Sequence, residues 1–154
     1  EYLCESEGDG RRALTERMIE DLGDNGSIVV YSMAAERSRI REMASWFPDL
    51  SDKLLAIESR LFDLHPLIKK CLSYPKFFGR SSLKIIQSIV PGLDYDDLDI
   101  DNGQEAMGAI GLMMRGMVDP NDIAHLRERL LRYCERDTEA TVRILRLLRE
   151  MATD

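Results

Sequence analysis

Apolar residues recur along this chain with two periods, and the switch between them predicts its elements. Leu14, Met18 and Leu22 stand at i, i+4 and i+8, a helical stripe with Asp9 as N-cap and Gly23 as stop. The run 27–31, Ser-Ile-Val-Val-Tyr, is β-branched and apolar on both faces, which predicts a buried strand of a parallel sheet. Ile40, Met43, Ala44 and Phe47 return to helical spacing and end at Pro48, and Ser51 is placed to cap a short helix carrying Leu54, Leu55 and Ile57. A second strand is predicted at 61–64, followed by a helix that His65-Pro66 opens and that runs through Cys71. Tyr2-Leu3-Cys4 reads as the end of a further strand.

The second half reads as mostly helical. Ser81 or Ser82 caps a helix over 83–90 that Pro91 stops, after a loop 74–80 rich in aromatic and basic residues. Residues 104–117 form a helix weakened by Gly108, Gly111 and Gly116, with Met107, Met113, Met114 and Met117 as adaptable core filler. Asp119, Pro120 at N1 and Asp122 at N3 start a final helix that reaches about Met151, long enough to suggest a bend near Asp137. Leu126, Leu130, Tyr133, Asp137, Thr141, Ile144 and Leu148 fall on one stripe of it at about 100° per residue. A carboxylate in the middle of an apolar stripe needs a cation, a donor or a solvent-filled cleft. Asp137 therefore reads either as a cap or kink where two helices meet, as the partner of an arginine, or as a metal-binding carboxylate with Tyr133 one turn earlier.

Composition narrows the function classes. The 154 residues fit one domain, large enough to bury roughly 70% of the unfolded surface. No apolar run approaches the length of a membrane span, the first residues lack the basic start of a signal peptide, and a cytoplasmic location is expected. The three cysteines, Cys4, Cys71 and Cys134, are far apart and read as reduced thiols; His65 and His125 lack zinc-ligand spacing. The net charge of −7 argues against a protein that coats nucleic acid through a broad basic surface. It leaves room for a site built from carboxylates around a divalent ion. Asp97, Asp99 and Asp101 imitate a calcium loop, but Asn102 and Gly108 occupy the positions that require Gly and Glu, so a solvated acidic loop over 94–101 is expected. Asp63 reads as a helix cap near a cleft, and the arginines of the last helix, interleaved with acids, as intrahelical ion pairs. Ala35-Glu36 follows the carboxyl end of the clearest strand, where ligands gather in α/β sheets; a first-turn Glu favoured by the helix dipole is the competing reading.

Tyr133-x-x-x-Asp137, within Tyr-Cys-x-x-Asp-Thr, resembles the third motif of the tyrosine variant of DEDD 3′–5′ exonucleases, which have a ribonuclease H-like fold. Ser32-Met33-Ala34-Ala35-Glu36 resembles their second motif, with Ser32 where Asn is usual, Ala35 for the aromatic residue and Glu36 for the acid. The ordered series Asp-Gly-Arg-Arg, Gly-Ser-Ile-Val-Val-Tyr, Trp-Phe-Pro-Asp-Leu, Phe-Asp-Leu, Ser-Ser-Leu-Lys, Val-Pro-Gly-Leu-Asp-Tyr-Asp-Asp-Leu and Tyr-Cys-x-x-Asp-Thr covers nearly the whole chain. It resembles a bacterial domain-of-unknown-function family expected to be DEDD-type nucleases, in proteins that can also carry a RecB-like nuclease region.

The resemblance implies an α/β chain, an incomplete ribonuclease H-like domain with a small mixed sheet and predominantly helical content over 1–154. It implies Glu36 and Asp137 as ligands of Mg2+ or Mn2+, Tyr133 as the residue orienting the attacking water, and a nucleic acid 3′ end as partner. Arg80 and Lys84, at the loop before a helix N-terminus, are placed to touch phosphate, with solvated surface charges as the competing reading. The first motif, Asp-x-Glu, is missing: the one such triplet, Asp137-Thr138-Glu139, lies in the last helix. The chain is thus expected to begin after the first strands, to be inactive alone, and to form a homo-oligomer through the surface those strands leave. The alternative is a non-catalytic interaction module derived from a nuclease fold, to which Ser32 and Ala35 lend weight.

Overall fold

A computed structural model describes residues 2–4, 9–72, 75–86, 90, 98–100 and 102–153, with the backbone alone at Lys76. The chain is α/β and mostly helical. Its order is α1 (Arg11–Leu22), β1 (Ile28–Val30), α2 (Met33–Trp46), a 3-10 turn, α3 (Ser51–Ser59), β2 (Leu61–Asp63), α4 (Leu64–Cys71), a second 3-10 turn, α5 (Leu83–Ile86), α6 (Gly103–Met114) and α7 (Pro120–Met151). Among the described residues the sheet is this one parallel pair, with Ile28 opposite Leu61, Val29 opposite Phe62 and Val30 opposite Asp63. The expected mixed sheet is corrected to a parallel one: a βααβ crossover returns the chain in the same direction.

Three apolar clusters hold the elements. Ile40, Leu54 and Ile57 pack α2 and α3 against α1 and the start of both strands. Leu64, Ile68, Phe77, Ile86 and Ile144 join α4, α5 and the end of α7, with Val29 and Tyr31 packed against them. Ile100, Ala106, Met113 and Leu130 seat α6 on the first half of α7, where Tyr133 and Leu3 also pack. Fully burying side chains such as Leu54, Leu64 and Ile86 contributes about 1.5–3 kcal/mol each.

Local chemistry sets the boundaries. Pro48 disfavours helix at the residue before it, and Phe47 leaves α2 at φ −128°. Arg60 gathers the turn between α1 and β1: its guanidinium donates to the carbonyls of Leu22, Gly23, Asn25 and Gly26. Asp119 caps α7 by accepting from the Asn121 N–H at 2.9 Å, with Pro120 at N1 as expected. The helix runs without interruption through Asp137, so that residue is neither a cap nor a break between two helices. Its stripe faces inward as predicted, with Leu130 and Ile144 buried and Tyr133, Asp137 and Thr141 half-buried; Ala140, outside the predicted stripe, is buried as well.

Several expectations are corrected. Met113 is buried, but Met107, Met114 and Met117 are 75%, 65% and 67% exposed, so they are not core filler. α6 meets the protein along a single face, and only one methionine lies on it. On α1, Thr15 takes the buried position in place of Leu14, its hydroxyl donating to the Arg11 carbonyl at 2.8 Å. Ser51 lies inside α3 instead of capping it. Asp9 accepts from the Arg11 N–H at 3.2 Å, but Gly10 stands at the cap position. Tyr2-Leu3-Cys4 is no strand; α7 holds it through Arg127, which donates to the carbonyls of Leu3 and Cys4. The helix predicted over 83–90 is described only as far as Ile86, and most of the acidic loop over 94–101 lies outside the described residues.

Candidate functional site

A cleft of about 470 Å³ opens between β1 and the middle of α7. One wall is Val29, Val30 and Tyr31; the other is Asp137, Thr138, Thr141, Val142 and Leu145. Successive strand residues point to opposite faces, so three consecutive residues lining one cleft place it along the edge of β1 that β2 does not occupy. Glu36, from the first turns of α2, and Leu83 complete it. The structure thus brings together two of the expected site residues, Glu36 and Asp137, from positions a hundred residues apart.

The two carboxylates near this strand end have opposite environments. Glu36 Oε2 is buried and has no hydrogen-bond partner among the described residues. Burial raises the Glu36 carboxyl above its ordinary range; its own backbone N–H pulls the other way, and the charge of Asp63 adds to the rise. Asp63 is fully engaged. Its Oδ1 accepts from the N–H groups of Ser32 and His65, and its Oδ2 from the N–H of Met33, all at 2.9 Å. Burial pushes the Asp63 carboxyl up, but these three donors together hold it below the ordinary range. It caps α4 and the start of α2 at once, and holds Ser32 in a left-handed conformation at φ +71°. The capping role read from sequence is therefore correct, and its reach is double.

Beside this pair lies a polar latch that sequence reading missed. The Tyr31 hydroxyl donates to the Ser81 carbonyl, and His65 Nε2 lies 2.8 Å from Ser81 Oγ. The rings of Tyr31 and His65 meet at 5.4 Å between centroids. Burial, with the Asp63 charge second, pushes the Tyr31 phenol up to about 12, so it stays a donor. A Tyr at a strand end was the available signal; its partner fifty residues on was not.

The remaining expected residues stand apart. Tyr133 shares the stripe of Asp137 but packs in the cluster of Ile100 and Leu130, and its hydroxyl would lie 3.7 Å from a Cβ at Gly103; it does not line the cleft. Arg80 lines a separate cavity of about 180 Å³ with Lys69 and Ser81. Lys84 is exposed on α5, next to Leu83, which does line the cleft. Arg132, Arg136 and Arg143 pair within α7 as predicted, Arg132 with Glu128 at 2.8 Å and the other two with Glu139 at 3.8 and 2.5 Å, but Arg129 reaches outside the helix to Asp99 at 3.2 Å and Arg127 to the carbonyls of Leu3 and Cys4.

Hard oxygen donors suit magnesium or manganese, and the partnerless Glu36 oxygen has the character of a ligand atom. Among the described residues, however, no group of three His, Cys, Asp or Glu side chains is placed to hold a metal ion. Glu36 and Asp137 line one cleft, and no third such side chain is placed with them among the described residues. No helix among the described residues is long and apolar enough to cross a membrane.

The chain is similar to two curated proteins. It is 25% identical over 152 residues to the uncharacterized protein MG366 of Mycoplasma genitalium, covering 88% of this chain and 23% of that protein. It is 24% identical over 159 residues to the uncharacterized MG366 homolog of Mycoplasma pneumoniae, covering 93% of this chain and 24% of that protein. The chain spans about a quarter of the length of these relatives. No solved structure matches it. Residues 1–82, which include β1, Glu36, Asp63 and Arg80 but not Asp137, match the domain of unknown function DUF2779, and the chain belongs to that family.

Proposed function

We propose that this chain is part of a metal-dependent 3′–5′ exonuclease-like domain of ribonuclease H-like fold, working in the cytoplasm on a nucleic acid 3′ end. The observation that carries the reading is the cleft where Glu36, with its buried and partnerless oxygen, faces the same space as Asp137. Burial of a carboxylate without a donor costs about 1–3 kcal/mol, a cost that a bound cation removes. Glu36 and Asp137 would hold Mg2+ or Mn2+, the other acids coming from the remainder of a longer protein. Such ions activate water and steady the leaving oxygen of a phosphodiester. The chain's own residues do the rest. Asp63 fixes the turn that carries Glu36, the apolar stripe fixes Asp137, and Arg80 and Lys84 are assigned to phosphate; Tyr133, turned into the Ile100 cluster, would orient the attacking water only after its ring swings toward the cleft.

The exposed Met107 and Met114 of α6, with Met117 just beyond its end, favour a second reading, a module that docks on a partner and performs no chemistry. Trimming of a labelled 3′ end in manganese by the longest native form of the protein, with Asp137→Asn in parallel, separates the two. The nuclease reading expects trimming in the parent, a loss of at least about 100-fold in the variant, and next to none from this chain alone. Strong divalent-dependent activity from this chain alone would sink the idea of a half site; no trimming by either folded long form would leave the docking module.

A further inference from the structure

Charge is not spread evenly along this acidic chain. Between Asp63 and Asp94 there is no acid at all, while Lys69, Lys70, Lys76, Arg80 and Lys84 lie within that span. Elsewhere many of the arginines are paired with acids. On α1 and α2, Arg12, Arg17 and Arg41 pair with Asp49, Asp21 and Glu58, and on α7 Arg132 and Arg143 pair with Glu128 and Glu139. Arg80 is not paired in this way. It is exposed, and its guanidinium has no hydrogen bond or ion pair among the described residues.

Two residues before it stands Phe78, 81% exposed. A large aromatic ring left in water forgoes burial that is worth about 1.5–3 kcal/mol. Its backbone is also in the left-handed region, at φ +47°, which costs a bulky side chain more than it costs glycine. Neither feature comes from a loose loop. Phe77 is buried in the core on one side, and on the other Ser81 is held by Tyr31 and His65. The Phe78 N–H donates to the Pro75 carbonyl and the Arg80 N–H to that of Phe77, so the turn is closed on itself. The fold thus leaves the Phe78 ring and, two residues on, the Arg80 guanidinium exposed, the latter without a partner among the described residues. The Tyr31–Ser81 bond ties this turn to the wall of the Glu36 cleft.

We infer that Phe78, Arg80 and Lys69 form a binding rim for single-stranded nucleic acid, an unpaired base stacking on Phe78 while Arg80 and Lys69 take adjacent phosphates. A base inside a duplex cannot offer its face to a lone ring, so single strands are selected. The acidity of the remaining surface confines binding to this rim and opposes a broad grip on duplex backbone. The biological use of the rim rests on the nuclease reading above; its binding does not.

The test is fluorescence anisotropy of a labelled oligothymidylate with this chain, in EDTA so that no hydrolysis intervenes. Duplex DNA, polyglutamate and phosphatidylserine vesicles serve as competing probes. Phe78→Ala is expected to weaken single-strand binding about tenfold, with Phe78→Trp restoring it and heparin binding unchanged in both. Arg80→Ala is expected to weaken oligothymidylate and heparin alike and to reduce the salt slope by about 0.7. Thermal melting of each variant checks that these exposed substitutions leave the fold intact. Equal affinity of parent and Phe78→Ala for the oligonucleotide, or preference for duplex, polyglutamate or vesicles, would overturn the inference. Phe78-dependent binding without trimming by the longer protein would retire the nuclease and keep the rim. Trimming that ignores Phe78 would do the reverse.

Discussion

The carboxyl ends of β1 and β2 lie side by side, and each delivers one acid to the same corner of the molecule with a different result. Asp63, the last residue of β2, is claimed by three backbone N–H groups from two helix starts. Glu36, one turn into the helix after β1, keeps a buried oxygen that nothing among the described residues satisfies. Burial acts to raise both carboxyls; for Asp63 the donors win, and for Glu36 burial wins. The difference lies in the backbone. A carboxylate level with a helix start meets orphan N–H groups, while one a turn further along meets groups already bonded within the helix. Position within the first turn therefore separates an acid that builds the fold from one left over for chemistry.

Removing the builder should have the largest effect. Asp63→Ala leaves the N–H groups of Ser32, Met33 and His65 without their acceptor and releases the left-handed turn at Ser32. Urea unfolding is expected to show a loss of about 2–4 kcal/mol, with Asp63→Asn losing about half as much because one amide oxygen remains. If the alanine variant were as stable as the parent, Asp63 would have no claim to its double role and the contrast with Glu36 would fail.

How much of this was legible beforehand divides along the same line. Features written within a few neighbours were readable: the β-branched run at 28–30, Pro48 ending α2, Asp119-Pro120 opening α7, and Asp63 before the Leu64 helix. Features that depend on what lies opposite were not. The hold of Asp63 on Ser32 and Met33 spans some thirty residues, and the Tyr31–Ser81 bond some fifty. The methionines of α6 are chemically alike, and only the docking angle on α7 decides that Met113 goes in while Met107 and Met114 stay out. Asp137 in an apolar stripe and Glu36 past a strand end each carried a local physical signal, but that the two share one cleft was approached through motif likeness alone. Nothing in the spacing of Tyr133 and Asp137 told that one would turn into an apolar cluster and the other to the cleft.

A smaller effect follows from acid. The folded-state pKa of Asp63 is lowered, so its contribution is present above the ordinary aspartate value and is lost as pH falls through the folded value. Unfolding free energies of the parent should decline on going from about pH 5 to about pH 3, and Asp63→Asn should show a flatter decline over the same span. Parallel curves for the two proteins would mean that other carboxylates, such as the Arg-paired Asp9 and Asp49, carry the acid dependence.

Glu36 gives the smallest change and the sharpest test, because its sign is opposite. Its folded-state pKa is raised, so below the ordinary glutamate value it costs nothing, and as pH rises the unfolded chain ionises first. The folded state is then penalised, and stability falls through that interval instead of rising. Glu36→Gln removes the charge while keeping the shape. Near neutral pH it should leave the chain slightly more stable than the parent, solvent screening keeping the margin small, and at about pH 4 the gap should close. A saturating divalent ion adds the second half of the argument: if it binds the spare oxygen, manganese should broaden the side-chain resonance of Glu36 and narrow the stability gap from the parent's side, with no such response in Glu36→Gln. A glutamine variant less stable than the parent at neutral pH would show that Glu36 is a builder too, held by a partner in the folded chain.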